Sequence, residues 1–162
     1  MSTVIGRFKR RQPKNIKSRR ALRKMEAKVF ENPKTVLFLR GANTSDAVKD
    51  AMEDLRTICK PRAKTLAKRN AFHPFEGQQH LEFLGFKNDS SLFCFGSDNK
   101  KRPDNLVIGR QFDFQILDMM EFGIVAQDRF QAGEAKGLNA GSLGSKPIFL
   151  FEGSEFETDP FF

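Results

Sequence analysis

Four side chains in this sequence have soft, metal-ligating chemistry: Cys59, His73, His80 and Cys94. They stand 14, 7 and 14 positions apart, whereas structural zinc sites draw their ligands in near-neighbour pairs from knuckles or helix turns. Scattered core and surface positions are the better reading, and no metal is expected. Residues 137–146 (GLNAGSLGSK) superficially suggest a phosphate loop. A phosphate loop needs Gly-Lys followed by Ser or Thr, between a strand and a helix, and here Gly144-Ser145-Lys146 leads into a strand-like run. No nucleotide or other cofactor is implied. Asp113, Asp118, Glu121 and Asp128 form an acidic stretch, but nothing in the sequence pairs them with a base, a metal or an oxyanion donor. A solvated face is the expectation for them, no catalytic residue is assigned, and the chain is not expected to be an enzyme.

Cationic charge is what the sequence concentrates. Residues 1–70 carry 20 basic and 6 acidic side chains, and residues 71–162 carry 8 and 14, so a half at +14 precedes a half at −6. Between Arg7 and Lys24 lie ten cations and no acid: Arg7, Lys9, Arg10, Arg11, Lys14 and Lys17, then Arg19, Arg20, Arg23 and Lys24. Such a segment repels itself unless a polyanion neutralises it, which favours RNA or another polyanion as partner. The groups Lys9-Arg10-Arg11 and Lys17-Ser18-Arg19-Arg20 also suit a nuclear-import address. A second cluster, Lys60, Arg62, Lys64, Lys68 and Arg69, is dense enough to favour RNA as well. A third, Lys100, Lys101 and Arg102, sits where a polar turn selected for solubility explains it equally well. All 18 aromatic residues are Phe, mostly inside apolar runs, and no RNP-type strand motif is present. The expected mode of binding is therefore contact with phosphate and RNA shape rather than base stacking.

Residues 1–33 read as a basic N-terminal arm too poor in apolar residues to fold alone. Within it, helix formers dominate from Asn15 to Val29, with Leu22, Met25 and Val29 on one face, until Asn32-Pro33 stops the helix. Thr35 to Arg40 reads as a buried strand closed by Gly41. Thr44 or Ser45 then caps an amphipathic helix whose stripe is Ala47, Val48, Ala51, Met52, Leu55, Ile58 and Cys59, ended by Lys60-Pro61. His73-Pro74-Phe75 marks a bend, and Leu81, Phe83, Leu84 and Phe86 suit a short helix. Ser91 to Gly96 and Leu106 to Ile108 read as the strands of a hairpin with a long basic loop between them. Phe112 to Val125 fits helix and strand equally. Residues 133–145 read as a flexible loop and Pro147 to Phe151 as a final strand. Cys59 and Cys94 read as reduced core thiols. No apolar run approaches the roughly 20 residues of a membrane helix, and no membrane partner is expected.

Four stretches carry a family likeness: ENPKTVLFLRG (31–41), KNDSSLFCFGSDNKKRPDNLVIGR (87–110), LDMMEFGI (117–124) and KPIFLFEGSEFE (146–157). In this order they closely resemble the Brix-domain family, over about residues 14–157. The resemblance implies an α/β fold whose half-domain is related to anticodon-binding domains, preceded by the basic arm, with the Brix domain over 34–162. It implies a non-enzymatic assembly factor acting in the nucleolus on precursors of the large ribosomal subunit. The implied partners are ribosomal RNA, the regulator of ribosome synthesis protein, and the 5S ribonucleoprotein, meaning 5S RNA with its ribosomal proteins. Brix domains are built from two similar halves, and this chain is expected to stop after the first. Its apolar end, Asp159-Pro160-Phe161-Phe162, supports an incomplete C-terminal side. Two other readings stay open: a structural protein of the mature large subunit, and an RNA-processing enzyme.

Overall fold

The structure, a computed structural model, describes residues 13–26, 29–30, 33–128, 148–154 and 156. The chain divides into two compact units, residues 1–130 and 131–162. In the first, the described elements run α1 (Ile16–Met25), β1 (Val36–Gly41), α2 (Asp46–Ile58), β2 (Ala63–Asn70), α3 (Gln78–Asn88), β3 (Leu92–Asn99), β4 (Arg102–Phe112) and β5 (Gln115–Gly123). The strands form one sheet in the order β2-β1-β3-β4-β5. β1 is parallel to both β2 and β3, and β3, β4 and β5 form an antiparallel meander.

β1 is apolar on both faces because both faces are covered, as expected of a central parallel strand. Its alternation sends Phe38 to one face and Leu37 and Leu39 to the other. Phe38 joins Val48 and Met52 of α2 with Cys94 and Leu106, while Leu37 and Leu39 join Leu81 of α3 with Phe93, Phe95 and Val107. The result is a helix–sheet–helix layering, in which each fully buried Leu or Phe contributes about 1.5–3 kcal/mol. α2 starts at Ser45, whose Oγ accepts from Val48 N over 3.3 Å, and Asp46 and Lys49 pair over 2.7 Å in its first turn. Ser45 Oγ also donates to Asp104 Oδ1 over 2.5 Å, tying the helix start to β4. Gly96 lets α2 approach the sheet, since a Cβ there would collide with Met52 and Val48. On the opposite face Gly85 of α3 lies against the side chain of the buried Gln111, whose Nε2 donates to Leu81 O over 3.1 Å.

The β-α unit from Thr35 to Cys59, the bend at residues 73–75, the helix over Leu81 to Phe86 and the strand from Ser91 form as read from the sequence. Five expectations are corrected or sharpened. The N-terminal helix ends at Met25, not Val29, and Val29 is 97% exposed, so the supposed docking face is not shared. Residues 60–70 are more than a charged segment, because β2 pairs with β1 from Val36↔Ala63 to Gly41↔Asn70. The long basic loop is a tight turn: β3 and β4 extend to Asn99 and Arg102, leaving Lys100 and Lys101 between them. Asn99 Oδ1 accepts from Lys101 N at 3.0 Å and Arg102 N at 2.9 Å, which closes that turn locally. The stretch from 112 to 125, whose sequence fits helix and strand equally, holds the end of β4, a turn and β5. In the turn Asp113 (φ 47°) and Phe114 (φ 62°) both take left-handed backbone, the requirement of a type I′ hairpin. Phe114 meets Phe86 edge-on at 5.0 Å, a contact that helps hold a bulky residue there. Finally, Ile148–Phe151 of the second unit pairs with no strand among the described residues, and all four side chains are exposed. In that unit Phe151 packs on Phe156 at 5.4 Å. The Gly-, Ala- and Ser-rich loop at 133–145 lies outside the described residues.

Candidate nucleic-acid interface

The sequence proposed three cationic groups, and the structure treats them differently. Arg7, Lys9, Arg10 and Arg11 lie outside the described residues. Lys14, Lys17, Arg19, Arg20, Arg23 and Lys24 belong to α1 or its entry, and all are exposed. Asn15 starts that helix: its Oδ1 accepts from Ser18 N at 2.8 Å and from Ser18 Oγ at 2.7 Å. Arg23 and Lys24 occupy the last turn, where cations complement the helix dipole. α1 therefore displays its cations from one scaffold, although no acid occupies its first turn.

The second group lies along β2, an outer strand of the sheet, so among the described residues no strand pairs with one side of its backbone ladder. Lys60, Arg62, Lys64, Lys68 and Arg69 are all exposed. Lys64 Nζ donates to Asn88 O at the end of α3. Lys60 and Arg62 flank the start of β2 and Lys68 and Arg69 lie at its end, roughly 20–25 Å away at about 3.3 Å per residue. Cations on an open edge also deter strand-to-strand aggregation, but that role requires neither this density nor cations at the ends. β1 adds a residue that the sequence reading passed over. Arg40, exposed at the C-terminal end of β1, is the register partner of Arg69. In the sequence it looks like the polar end of an apolar strand, and only strand pairing brings it to the cluster.

The third group divides. Lys100 and Lys101 project from the β3–β4 turn and are exposed. Arg102 is engaged: its Nη1 donates to Glu121 Oε1 over 2.9 Å and approaches His73 Nε2 at the same distance. A guanidinium has no acceptor, so His73 accepts through Nε2. Asn105 Nδ2 donates to the same Glu121 oxygen over 2.7 Å. Arg102 thus ties the turn to β5 and to the bend before α3.

The residues of possible chemical interest are separated in the same way. Asp118 accepts from Arg110 Nε through both oxygens at 2.8 Å, a pairing that raises the Arg110 pKa first through the hydrogen bond and then through charge. Glu121 is taken up by Arg102 and Asn105, and Asp113 belongs to the hairpin turn. Burial pushes the Cys94 thiol up to about 12 and also raises Cys59, which is the opposite of an activated nucleophile. Among the described residues, no group of three or more His, Cys, Asp or Glu is placed to hold a metal ion, and no helix is long and apolar enough to cross a membrane. The arrangement offers exposed fixed cations, and its chemistry is the neutralisation of anions.

Comparison with known proteins shows what the chain is similar to. Residues 41–162 match the family model described as Brix domain. The Ribosome production factor 2 homolog of Chaetomium thermophilum is 44% identical over 147 residues, covering 91% of this chain and 42% of that protein. The Homo sapiens Ribosome production factor 2 homolog is 40% identical over 146 residues, 90% of this chain and 47% of its own length. The Saccharomyces cerevisiae Ribosome biogenesis protein RPF2 is 39% identical over 150 residues, with coverages of 92% and 43%. The chain spans somewhat less than half the length of these curated relatives.

Proposed function

The chain belongs to the Brix-domain family, and from that premise we propose that it is a non-enzymatic assembly factor for the large ribosomal subunit that grips ribosomal RNA through fixed cations. The observation that carries this reading is the β2 edge, where Lys60, Arg62, Lys68 and Arg69 are exposed with no ion pair to a described acid. Lys100 and Lys101 add to it, and the arm from Arg7 to Lys24 supplies the remaining contacts. Lys64 and Arg102 act mainly in holding the surface together. Neutralising several phosphates releases condensed counterions, which makes such binding strong at low salt and largely independent of sequence. Specificity then comes from RNA shape and from protein partners.

The finer assignment rests on the family resemblance: the arm at 1–33 precedes a Brix domain over 34–162, and the site of action is the nucleolus. There the chain pairs with the regulator of ribosome synthesis protein and helps dock 5S RNA and its ribosomal proteins on large-subunit precursors. The relatives' names, ribosome production factor and ribosome biogenesis protein, favour assembly over permanent residence in the particle. Fractionation of nuclear and cytoplasmic extracts tests the proposal. The protein is expected to sediment with nuclear large-subunit precursors and to be missing from translating ribosomes. Stable presence in polysomes would instead make it a structural ribosomal protein.

A further inference from the structure

The chain leaves the carboxyl ends of β1 and β2 toward opposite faces of the sheet. β1 continues into α2, which packs on the Phe38 face, and β2 continues into α3, which packs on the Leu37–Leu39 face. In open α/β sheets ligands bind outside the carboxyl ends of the strands, and in the order β2-β1-β3 the switch point lies beside β1. Arg40 and Arg69 stand at this end of the sheet, directly opposite each other in the register. Like charges directly opposite on neighbouring strands are destabilising. Both residues are exposed, and neither guanidinium makes an ion pair among the described residues. The pairing is nevertheless built with care. β2 takes four residue steps from Thr65 to Arg69 where β1 takes two from Phe38 to Arg40, an irregularity of the kind that re-aims side chains beside binding sites. Asn70 Nδ2 then donates to Arg40 O at 3.2 Å and to Lys68 O at 3.1 Å, fastening the two backbones at their carboxyl ends. The acids at this end of the sheet are already occupied: Asp98 Oδ1 accepts from Asp104 N, and Asp104 Oδ1 from Ser45 Oγ.

We propose that Arg40 and Arg69, paired at the carboxyl ends of β1 and β2, form a binding site for a backbone phosphate of RNA. An anion between the two guanidiniums converts a repulsive cross-strand pair into a bridged one. Arg40 is also the partner of Gly96 on β3, and Lys100 lies four residues farther along, roughly 13 Å beyond at about 3.3 Å per residue. The turn therefore offers a second contact on the same end of the sheet. The inference rests on the RNA-binding reading above and assigns it a particular site.

Fluorescence anisotropy with a labelled short RNA duplex, repeated over a range of salt concentrations, tests it on the unaltered chain and on Arg40→Gln, Arg69→Gln and the double variant. The double variant should weaken binding and lower the log–log salt slope by about 0.7–0.9, the value of one phosphate. Each single variant, leaving that phosphate one partner, should lower the slope by less. Thermal unfolding without RNA supplies a second readout: Arg40→Gln should melt above the unaltered chain, and inorganic phosphate should raise the melting temperature of the unaltered chain more than that of the double variant. If the double variant keeps the full slope while deletion of residues 1–24 still reduces it, the Arg40–Arg69 pair is not a phosphate site although the chain binds RNA. If the unaltered chain shows no salt-dependent RNA binding, the functional reading itself fails.

Discussion

The guanidinium of Arg102 donates to the Glu121 carboxylate over 2.9 Å, joining the residue that follows the β3–β4 turn to the far edge strand. Three consecutive cations, Lys100, Lys101 and Arg102, look equivalent in the sequence. This contact gives the third a different role.

Exchanging Lys100 and Lys101 for Glu should weaken RNA binding and reduce its salt slope, whereas Arg102→Gln should leave the slope close to that of the unaltered chain. The side chains of Arg102 and Glu121 are partly exposed, at 45% and 30%, so the ion pair contributes about 0.2–1 kcal/mol. Urea unfolding of Arg102→Gln should register a loss of that order. A slope for Arg102→Gln that falls as far as that of the double Lys variant would return Arg102 to the RNA surface.

Deleting residues 1–24 should lower the salt slope by about 0.7–0.9 for each phosphate that the arm neutralises. The far-UV circular dichroism of the sheet should persist, because β1 starts only at Val36. An unchanged slope in RNA titrations would remove the arm from the interface.

Gly96→Ala should destabilise the fold by about 1–3 kcal/mol through overpacking, since the new methyl meets Met52 and Val48. Adding Met52→Ala opens space beside it, so the double variant should lose less than the sum of the two single losses. A double-mutant cycle on chemical denaturation measures this, and strict additivity would contradict the contact.

Burial raises the Cys94 thiol to about 12 from an ordinary value of 9.0. A folded-state pKa above the unfolded one means that the stabilising difference is complete below pH 9. It is lost as the pH climbs from 9 toward about 12, where the unfolded thiol ionises and the folded one does not. Within that window each unit of pH costs up to about 1.4 kcal/mol. Stability measured against pH should fall less steeply for Cys94→Ala than for the unaltered chain above pH 9. Parallel curves would show that the thiol is not buried as described.

Legibility in the sequence followed the strength of local signals. The β1–α2 unit was readable because a continuous apolar run, the Ser45 cap and a wide stripe ending at Pro61 all agree on one structure. β2 was unreadable because an edge strand needs little apolar surface: Leu66 and Ala63 pack, while Lys64, Lys68 and Arg69 stay outside. Its strand state comes from hydrogen bonding to β1, a non-local partner. The stretch from 112 to 125 was ambiguous for a related reason. A bulge between Arg110 and Gln111, and a hairpin with two positive φ angles at non-glycine residues, disturb the period-two pattern.

By itself, the sequence determined the α/β class, the main elements, the charge asymmetry and the family likeness, because these depend on composition, on local periodicity and on motifs read in order. The tertiary structure alone decided which cations face solvent and which hold the fold. Arg102 and Lys64 are drawn into contacts with residues 19 and 24 positions away, and Arg40 is set against Arg69 only by the register between β1 and β2. Charge is a property of each residue, but its availability to RNA depends on which acids and backbone groups the fold brings beside it.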